Sequence, residues 1–389
     1  MAPVVFKPMA AIASSGYEVD VVCADSFCRE LLLDNSLLPY AERFFPNIFR
    51  LNPDKGLMGW IKTNSRILSR TPDLMTVLHR AAYEYLMEID LDQYDAVMTW
   101  SPFHSVNPVM AKVKKARSNV RWIAQFSDPW AGNPLETGWL TNTWNAYHEP
   151  QTVKSADHII HSSAYSLELM LKGHPDHLRK KFSVLPHVFN TELYPQRPKE
   201  KNEKIVMRYV GVLYGRRSPE PLFQALNCLF DRRKDLTDRV SIELVGQLQQ
   251  EMLLTNAAKA LPPGCVRVVP NVDYLKSLEL MYDADILLLI EADIRQNLFL
   301  ASKVSDYFGA NARIVGLVPP GASEDALSGL GCWYAKPSDV SGIADCLEHA
   351  ISHAIENDGS PWCNEEFRLT FGSGYVAKRY LEILNGLRT

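Results

Sequence analysis

The sequence has little of what would assign it at a glance. It has no charge excess: 41 Lys and Arg stand against 45 Asp and Glu, a formal charge of −4. With an isoelectric point near 6.2, this argues against a protein that grips nucleic acid by overall positive charge. No apolar run approaches the ~18 to 20 residues of a membrane-spanning helix. The longest candidate, Ile286 to Ile290, is strand-sized and bracketed by Asp285 and Glu291. The cysteines are odd in number and scattered without a CxxC pair, which fits reduced thiols in a cytoplasm. The histidines are equally dispersed, with no HExxH or comparable ligand spacing, so no metal site is read. Met1 to Ser15 lacks the charged start and apolar core of a secretory signal. Internal repeats and low-complexity stretches are missing too.

What is present is a foldable chain. Its 389 residues suggest two domains at roughly 100 to 200 residues each. A composition 47% hydrophobic and 22% charged excludes a disordered tail or linker protein.

Short apolar runs alternate with helix-period segments: Glu18 to Cys23, Asp95 to Trp100, Arg121 to Phe126, Asp157 to His161 and Phe182 to Leu185. Strands separated by helices point to parallel βαβ units. Thr191 to Lys204, with two prolines and many charges, reads as a linker. The alternation resumes with Ile205 to Val210, Val240 to Val245, Val266 to Val269, Ile286 to Ile290 and Ile314 to Leu317. The expected fold class is therefore α/β, two doubly wound Rossmann-like domains facing across a cleft, with ligands collecting beyond the carboxyl ends of the strands. Residues 1–190 form the first domain, 191–204 the linker and 205–360 the second domain, and 361–389 are terminal helices that cross back to the first.

Two stretches carry chemistry. In Tyr209-Val-Gly-Val-Leu-Tyr-Gly-Arg-Arg-Ser-Pro a strand ends in a loop with Gly211, Gly215, Arg216 and Arg217. Ser218 then reads as N-cap and Pro219 as first helical residue. Glycine admits close backbone approach, a helix start offers free N–H groups and guanidinium supplies charge, a set that suits a diphosphate. A plain turn with solvated arginines has the same local spacing, which is neither GxGxxG nor a Walker loop. In the second stretch, Ser302 reads as the cap of a helix carrying Lys303 in its first turn and Asp306 one turn on. A lysine there is opposed by the helix dipole unless an anion is present, and a carboxylate one turn further suits ribose hydroxyls. A surface ion pair is the alternative.

In order along the chain, GYEVDVV (Gly16 to Val22), DAVMTWSPF (Asp95 to Phe103), FSDPW (Phe126 to Trp130), LPHVFNTELYP (Leu185 to Pro195), YVGVLYGRRSPEPL, PNVDYLKSLELMYDADILLL (Pro270 to Leu289) and SKVSDYFGANARIVGLVPPG resemble the glycosyltransferases of the GT-B fold, specifically the retaining family 4 and its relatives. The resemblance runs over nearly the whole chain. It implies sugar transfer, with retention, from a nucleotide diphosphate donor to a glycan or lipid-linked acceptor in surface polysaccharide or glycolipid assembly. It places Gly211 at the donor phosphates, Arg216, Arg217, Ser302 and Lys303 around them, Asp306 at the ribose and Asn271-Val272 along the base. Arg217 and Lys303 would then stabilise charge growing on the leaving diphosphate without a metal or cofactor. On the acceptor side stand Asp128 and His104. Asp283-Ala-Asp285 looks like a metal-binding DxD, but it closes a helix and enters a strand, so it reads as structural.

Two departures stand out. Eight residues before Asp306, where the family has a second carboxylate, stands Leu298. The family's first strand and glycine-rich loop precede a helix like Ala2 to Ser15, so an upstream strand is expected. These departures motivate an alternative, a non-catalytic scaffold or regulatory subunit of the same fold. A sugar-nucleotide 2-epimerase is the third reading; it needs acidic and histidine residues converging on the sugar, which the sequence does not assemble. Finally, Lys62, Arg66 and Arg70 beside Trp60 and Ile61 suggest a basic amphipathic helix, which either touches an anionic membrane peripherally or packs on the sheet.

Overall fold

The computed structural model describes residues 2–25, 34–53, 72–101, 103–136, 138–356 and 361–388. The basic stretch Gly56 to Leu68 lies outside the described residues. The chain divides into two units, Met1–Pro186 with Val376–Thr389, and His187–Tyr375.

The first unit opens with the helix Pro3–Ser14, which carries proline at its start where the missing N–H costs nothing. Phe6 packs edge-on against Phe44 and Phe45. Strands β1 (Val21–Ala24) and β2 (Ile48–Leu51) form a two-stranded parallel sheet. A separate four-stranded parallel sheet follows, with β3 (Val97–Ser101), β4 (Trp122–Phe126), β5 (His158–His161) and β6 (Phe182–Val184) side by side in chain order. Every residue of β4 is buried, as expected of a parallel strand covered on both faces. The terminal helix Ser373–Arg388 contributes Val376, Tyr380 and Leu384, all buried. Its Tyr380 hydroxyl donates to Gln125, and Arg388 pairs with Asp95 at 2.6 Å.

The second unit holds one six-stranded parallel sheet made of β7 (Ile205–Val210), β8 (Val240–Val245), β9 (Val266–Val269), β10 (Ile286–Ile290), β11 (Arg313–Leu317) and β12 (Trp333–Ala335). Their spatial order is β12-β11-β10-β7-β8-β9. The helix Glu220–Arg232 lays Leu222, Phe223, Leu226 and Leu229 toward the helix Val340–Glu356, whose Ile343, Leu347 and Ile351 are equally buried. This is the helical period of one apolar face meeting another. Parallel sheets covered by helices in both units, with the reversed strand order of a doubly wound sheet in the second, agree with the α/β fold class read from the sequence.

The stretch Thr191–Lys204 departs from the linker expected there. Tyr194 is buried and its hydroxyl donates to the Asp306 carbonyl at 2.9 Å. Arg197 pairs with Asp283 at 2.6 Å, and Asn202 donates to the Asp285 carboxylate at 2.9 Å. Its charges are there because they have partners on the second unit, and the division falls earlier, after Pro186. The helix Glu365–Leu369 likewise stays with the second unit, where Arg368 donates to the Phe308 carbonyl at 2.7 Å.

Candidate functional site

The chain of the second unit runs β7, β8, β9 in one direction and then returns to lay β10 on the other side of β7. The carboxyl ends of β7 and β10 therefore bracket the topological switch point, where doubly wound sheets bind ligands. The two strands pair only at Ile286 with Met207 and Leu287 with Arg208. Beyond that point Tyr307 bridges them: its hydroxyl accepts from the Val210 N–H at 3.2 Å and donates to the Leu288 carbonyl at 3.0 Å.

Gly211 follows β7 with φ at +141°, a region that side chains avoid. The reason for glycine is also steric, because a Cβ there would lie 2.5 Å from Lys303 Nζ. Lys303, in the first turn of the helix Ser302–Ala310, donates to the Tyr209 hydroxyl at 2.9 Å and the Val210 carbonyl at 3.0 Å. Its ammonium stands 4.2 Å from the Tyr209 ring centroid. Burial, and then the Arg217 guanidinium, push it down to about 7. Arg217 is partly buried, and its Nε has no hydrogen-bond partner among the described residues. Two cations thus converge on one glycine loop.

Their counterweight is Glu291, which directly follows β10. It is buried, holds hydrogen bonds from Ser323 Oγ at 2.6 Å and Asn297 Nδ2 at 2.8 Å, and burial raises its carboxyl above the usual range. Asp306 is also buried; its Oδ1 accepts from the Tyr274 hydroxyl at 2.7 Å.

The remaining expected residues scatter more widely. Arg216 is exposed and donates to the Asp293 carbonyl, away from Arg217. Asn271 and Val272 lie beyond β9 at the sheet edge, joined to the centre through Tyr274 two residues on. Ser302 is the first helical residue, not the cap; Ala301 holds that position without a side-chain bond. Likewise Pro219 is the N-cap of the helix Glu220–Arg232, although the Ser218 hydroxyl still accepts from the Glu220 N–H at 3.2 Å. Asp283 and Asp285 hold Arg197, Asn202 and the Val206 N–H, so both carboxylates fasten the chain entering β7.

His104 and Asp128 belong to the first unit. His104 stacks on Trp130 at 5.2 Å and Phe126 at 5.8 Å, and burial lowers it to about 4, so it is neutral at pH 7. Its Nδ1 is buried without a partner among the described residues. Burial raises the Asp128 carboxyl.

Sequence reasoning missed Tyr209, Tyr274, Glu291 and Tyr307 as site residues. One signal was available: Glu291 is the charged residue immediately after the most apolar strand, at its ligand-binding end.

No family model and no curated protein matches the chain. Solved structures do. A glycosyltransferase from Rickettsia africae aligns with TM-score 0.65 at 11% identity, covering 99% of this chain and 94% of that one. The Anabaena protein HepE, solved in complex with UDP and glucose, aligns with TM-score 0.58 at 13% identity over 100% and 95%. An α,α-trehalose-phosphate synthase (UDP-forming) from Burkholderia xenovorans, in complex with glucose-6-phosphate, gives 0.56 at 11% over 80% and 78%. At these identities the likeness is one of architecture, and it shows that the chain has the GT-B fold of these glycosyltransferases.

Proposed function

We propose that the chain is a glycosyltransferase that moves a sugar from a nucleoside diphosphate donor to a glycan or lipid-linked acceptor, with retention, in surface polysaccharide or glycolipid assembly. The observation that carries this reading is Lys303 seated against Gly211 at the switch point, with the Arg217 guanidinium of the same loop close enough to act on it and its Nε buried without a partner among the described residues. A diphosphate offsets both the burial and the Arg217 repulsion that lower the Lys303 ammonium. As the glycosidic bond breaks, charge grows on the outer phosphate, and two fixed cations stabilise it most at that moment. They do so without a metal, so activity should persist in a chelator. HepE in complex with UDP-glucose makes a uridine donor the first to test.

We assign the ribose to Asp306 and the base to the segment ending at Tyr274. Asp128, with its raised carboxyl, is assigned to the acceptor hydroxyl, with His104 beside it as a neutral hydrogen-bonding partner. Titration calorimetry with UDP, GDP, TDP and ADP sugars tests the reading. At least one binds, and Arg217→Ala and Lys303→Ala each abolish it; binding of none removes the proposal.

Leu298 favours a second reading, a non-catalytic subunit of the same fold. Sugar transfer by the isolated chain excludes it, and transfer seen only with a partner supports it.

A further inference from the structure

The helix Trp139–Ser155 of the first unit is built inside out. A helix on a globular surface ordinarily turns its apolar stripe inward and its polar residues to solvent. Here the buried residues are Thr141, Asn145, Glu149, Thr152 and Val153, most of them polar. Asn145 Oδ1 accepts from Trp130 Nε1 at 2.9 Å and Glu149 Oε2 from the Ala131 N–H at 2.7 Å. The inner face therefore fastens the turn that follows Asp128.

The opposite stripe, at helical spacing, is Trp139, Leu140, Thr143, Ala146, Tyr147 and Pro150, and every one of these residues is exposed. Trp139 is 74%, Tyr147 66% and Leu140 51% exposed, and Leu135 in the turn before the helix is 69% exposed. Trp139, Leu135 and Tyr147 are the most exposed large hydrophobic residues among those described, and all three lie between residues 135 and 147. Exposed apolar residues scattered singly are ordinary, whereas a contiguous row marks a docking surface.

Charge selects the partner. From Gly138 to Val153 there is no Lys, Arg or Asp, and the one Glu, Glu149, is buried. An anionic bilayer or an acidic partner would call for cations beside the tryptophan. A second copy of the same uncharged stripe meets no like-charge repulsion. The stripe is also self-complementary: about a two-fold axis at Thr143, antiparallel pairing sets Trp139 opposite Tyr147 of the partner subunit and Leu140 opposite the partner's Ala146. Large side chains then face small or planar ones, and the small Thr143 lies on the axis. With roughly 150–250 Å² for each fully buried aromatic side chain and less for leucine, the four exposed side chains offer about 500 Å² per copy. Two copies together reach the roughly 1,000 Å² that a specific interface needs.

We infer that this outer stripe is a homodimer interface, in which two copies of the chain pair their Trp139–Ser155 helices antiparallel across Thr143. The dimer braces from outside the helix whose inner face holds the turn after Asp128. The inference rests on the first unit alone and is independent of the donor site.

Sedimentation equilibrium on the full chain across a dilution series tests it against Thr143→Arg, which brings two guanidinium groups together at the axis and leaves the buried face untouched. The parent chain gives a mass that rises with concentration toward twice the 44.0 kDa of one copy. In Thr143→Arg the dissociation constant rises about tenfold or more, with an unchanged urea midpoint. Thr143→Cys reads the geometry directly. With glutathione disulfide as oxidant, the two introduced thiols pass two electrons and two protons to it, releasing two glutathione thiols and leaving one disulfide across the axis. Peptide mapping then finds residue 143 joined to its own copy; a dimer without that link overturns the antiparallel pairing. A chain that is monomeric at every concentration overturns the inference, as does a dimer that Thr143→Arg leaves intact. Binding of a monomer to phosphatidylcholine vesicles, lost in Trp139→Ser, overturns it too, because a lipid surface would then be the occupant.

Discussion

The ammonium of Lys303 occupies the space that a side chain at residue 211 would need, 2.5 Å from the position of its Cβ. Gly211→Ala therefore displaces Lys303 and strains a backbone held at φ +141°. We expect nucleotide diphosphate affinity to fall about tenfold or more, ~1.4 kcal/mol, with a stability loss on the order of 1–3 kcal/mol. Arg216→Ala, at an exposed position, leaves both unchanged. Calorimetric titration with UDP and urea unfolding check the pair.

Lys303 gives the site a pH dependence of known sign. With its empty-site value pushed down to about 7, it is charged below that pH and increasingly neutral above it. A bound diphosphate favours the charged form, so binding above neutrality takes up a proton. Affinity should fall with rising pH above about 7, by at most about tenfold per unit. In Lys303→Met the profile between pH 7 and 9 flattens; a slope that survives the substitution assigns the titration elsewhere.

Tyr307→Phe removes one hydroxyl and leaves two buried backbone groups, the Val210 N–H and the Leu288 carbonyl, without their partner. Each such group costs about 1–3 kcal/mol when unsatisfied. A lower urea midpoint with an unchanged slope is the expected result. Any loss of nucleotide affinity should be smaller than for Gly211→Ala.

The first unit should be sensitive to acid. His104 is lowered to about 4 and His161 to about 3, in both cases chiefly by burial. Unfolded histidines take a proton near pH 6.5, so the unfolded chain binds more protons between there and the folded values. Stability is full above about pH 6.5 and is lost as pH falls toward 4, by at most ~1.4 kcal/mol per pH unit for each ring. Urea unfolding at pH 7 and pH 5 measures the slope, which His161→Phe should reduce.

Much of the fold was legible because interior parallel strands are nearly continuous apolar runs. Ile205–Val210, Val240–Val245, Val266–Val269 and Ile286–Ile290 stand at the limits read from sequence. Ile48–Leu51 and Trp333–Ala335 were missed: both are short edge strands, without the run of buried residues that marks a strand. In the candidate site, Gly211, Arg217 and Lys303 were legible because a strand end and a helix start announce themselves locally. Tyr274 and Tyr307 were not, since their roles depend on hydroxyls reaching strands and helices distant in sequence. The charged stretch 191–204 misled for a related reason, since its composition is that of a linker and only its partners show otherwise.

The helix that carries Lys303 at one end is fastened at the other by residues near both places where the chain passes between units. Tyr194, soon after Pro186, grips the Asp306 carbonyl, and Arg368, shortly before Val376, grips the Phe308 carbonyl. Gly309 leaves the room this needs, since a Cβ there would lie 2.3 Å from the Tyr194 hydroxyl. Two side chains remote in sequence thus hold this helix by its own carbonyls, so the position of the turn that carries Lys303 does not rest on apolar packing alone.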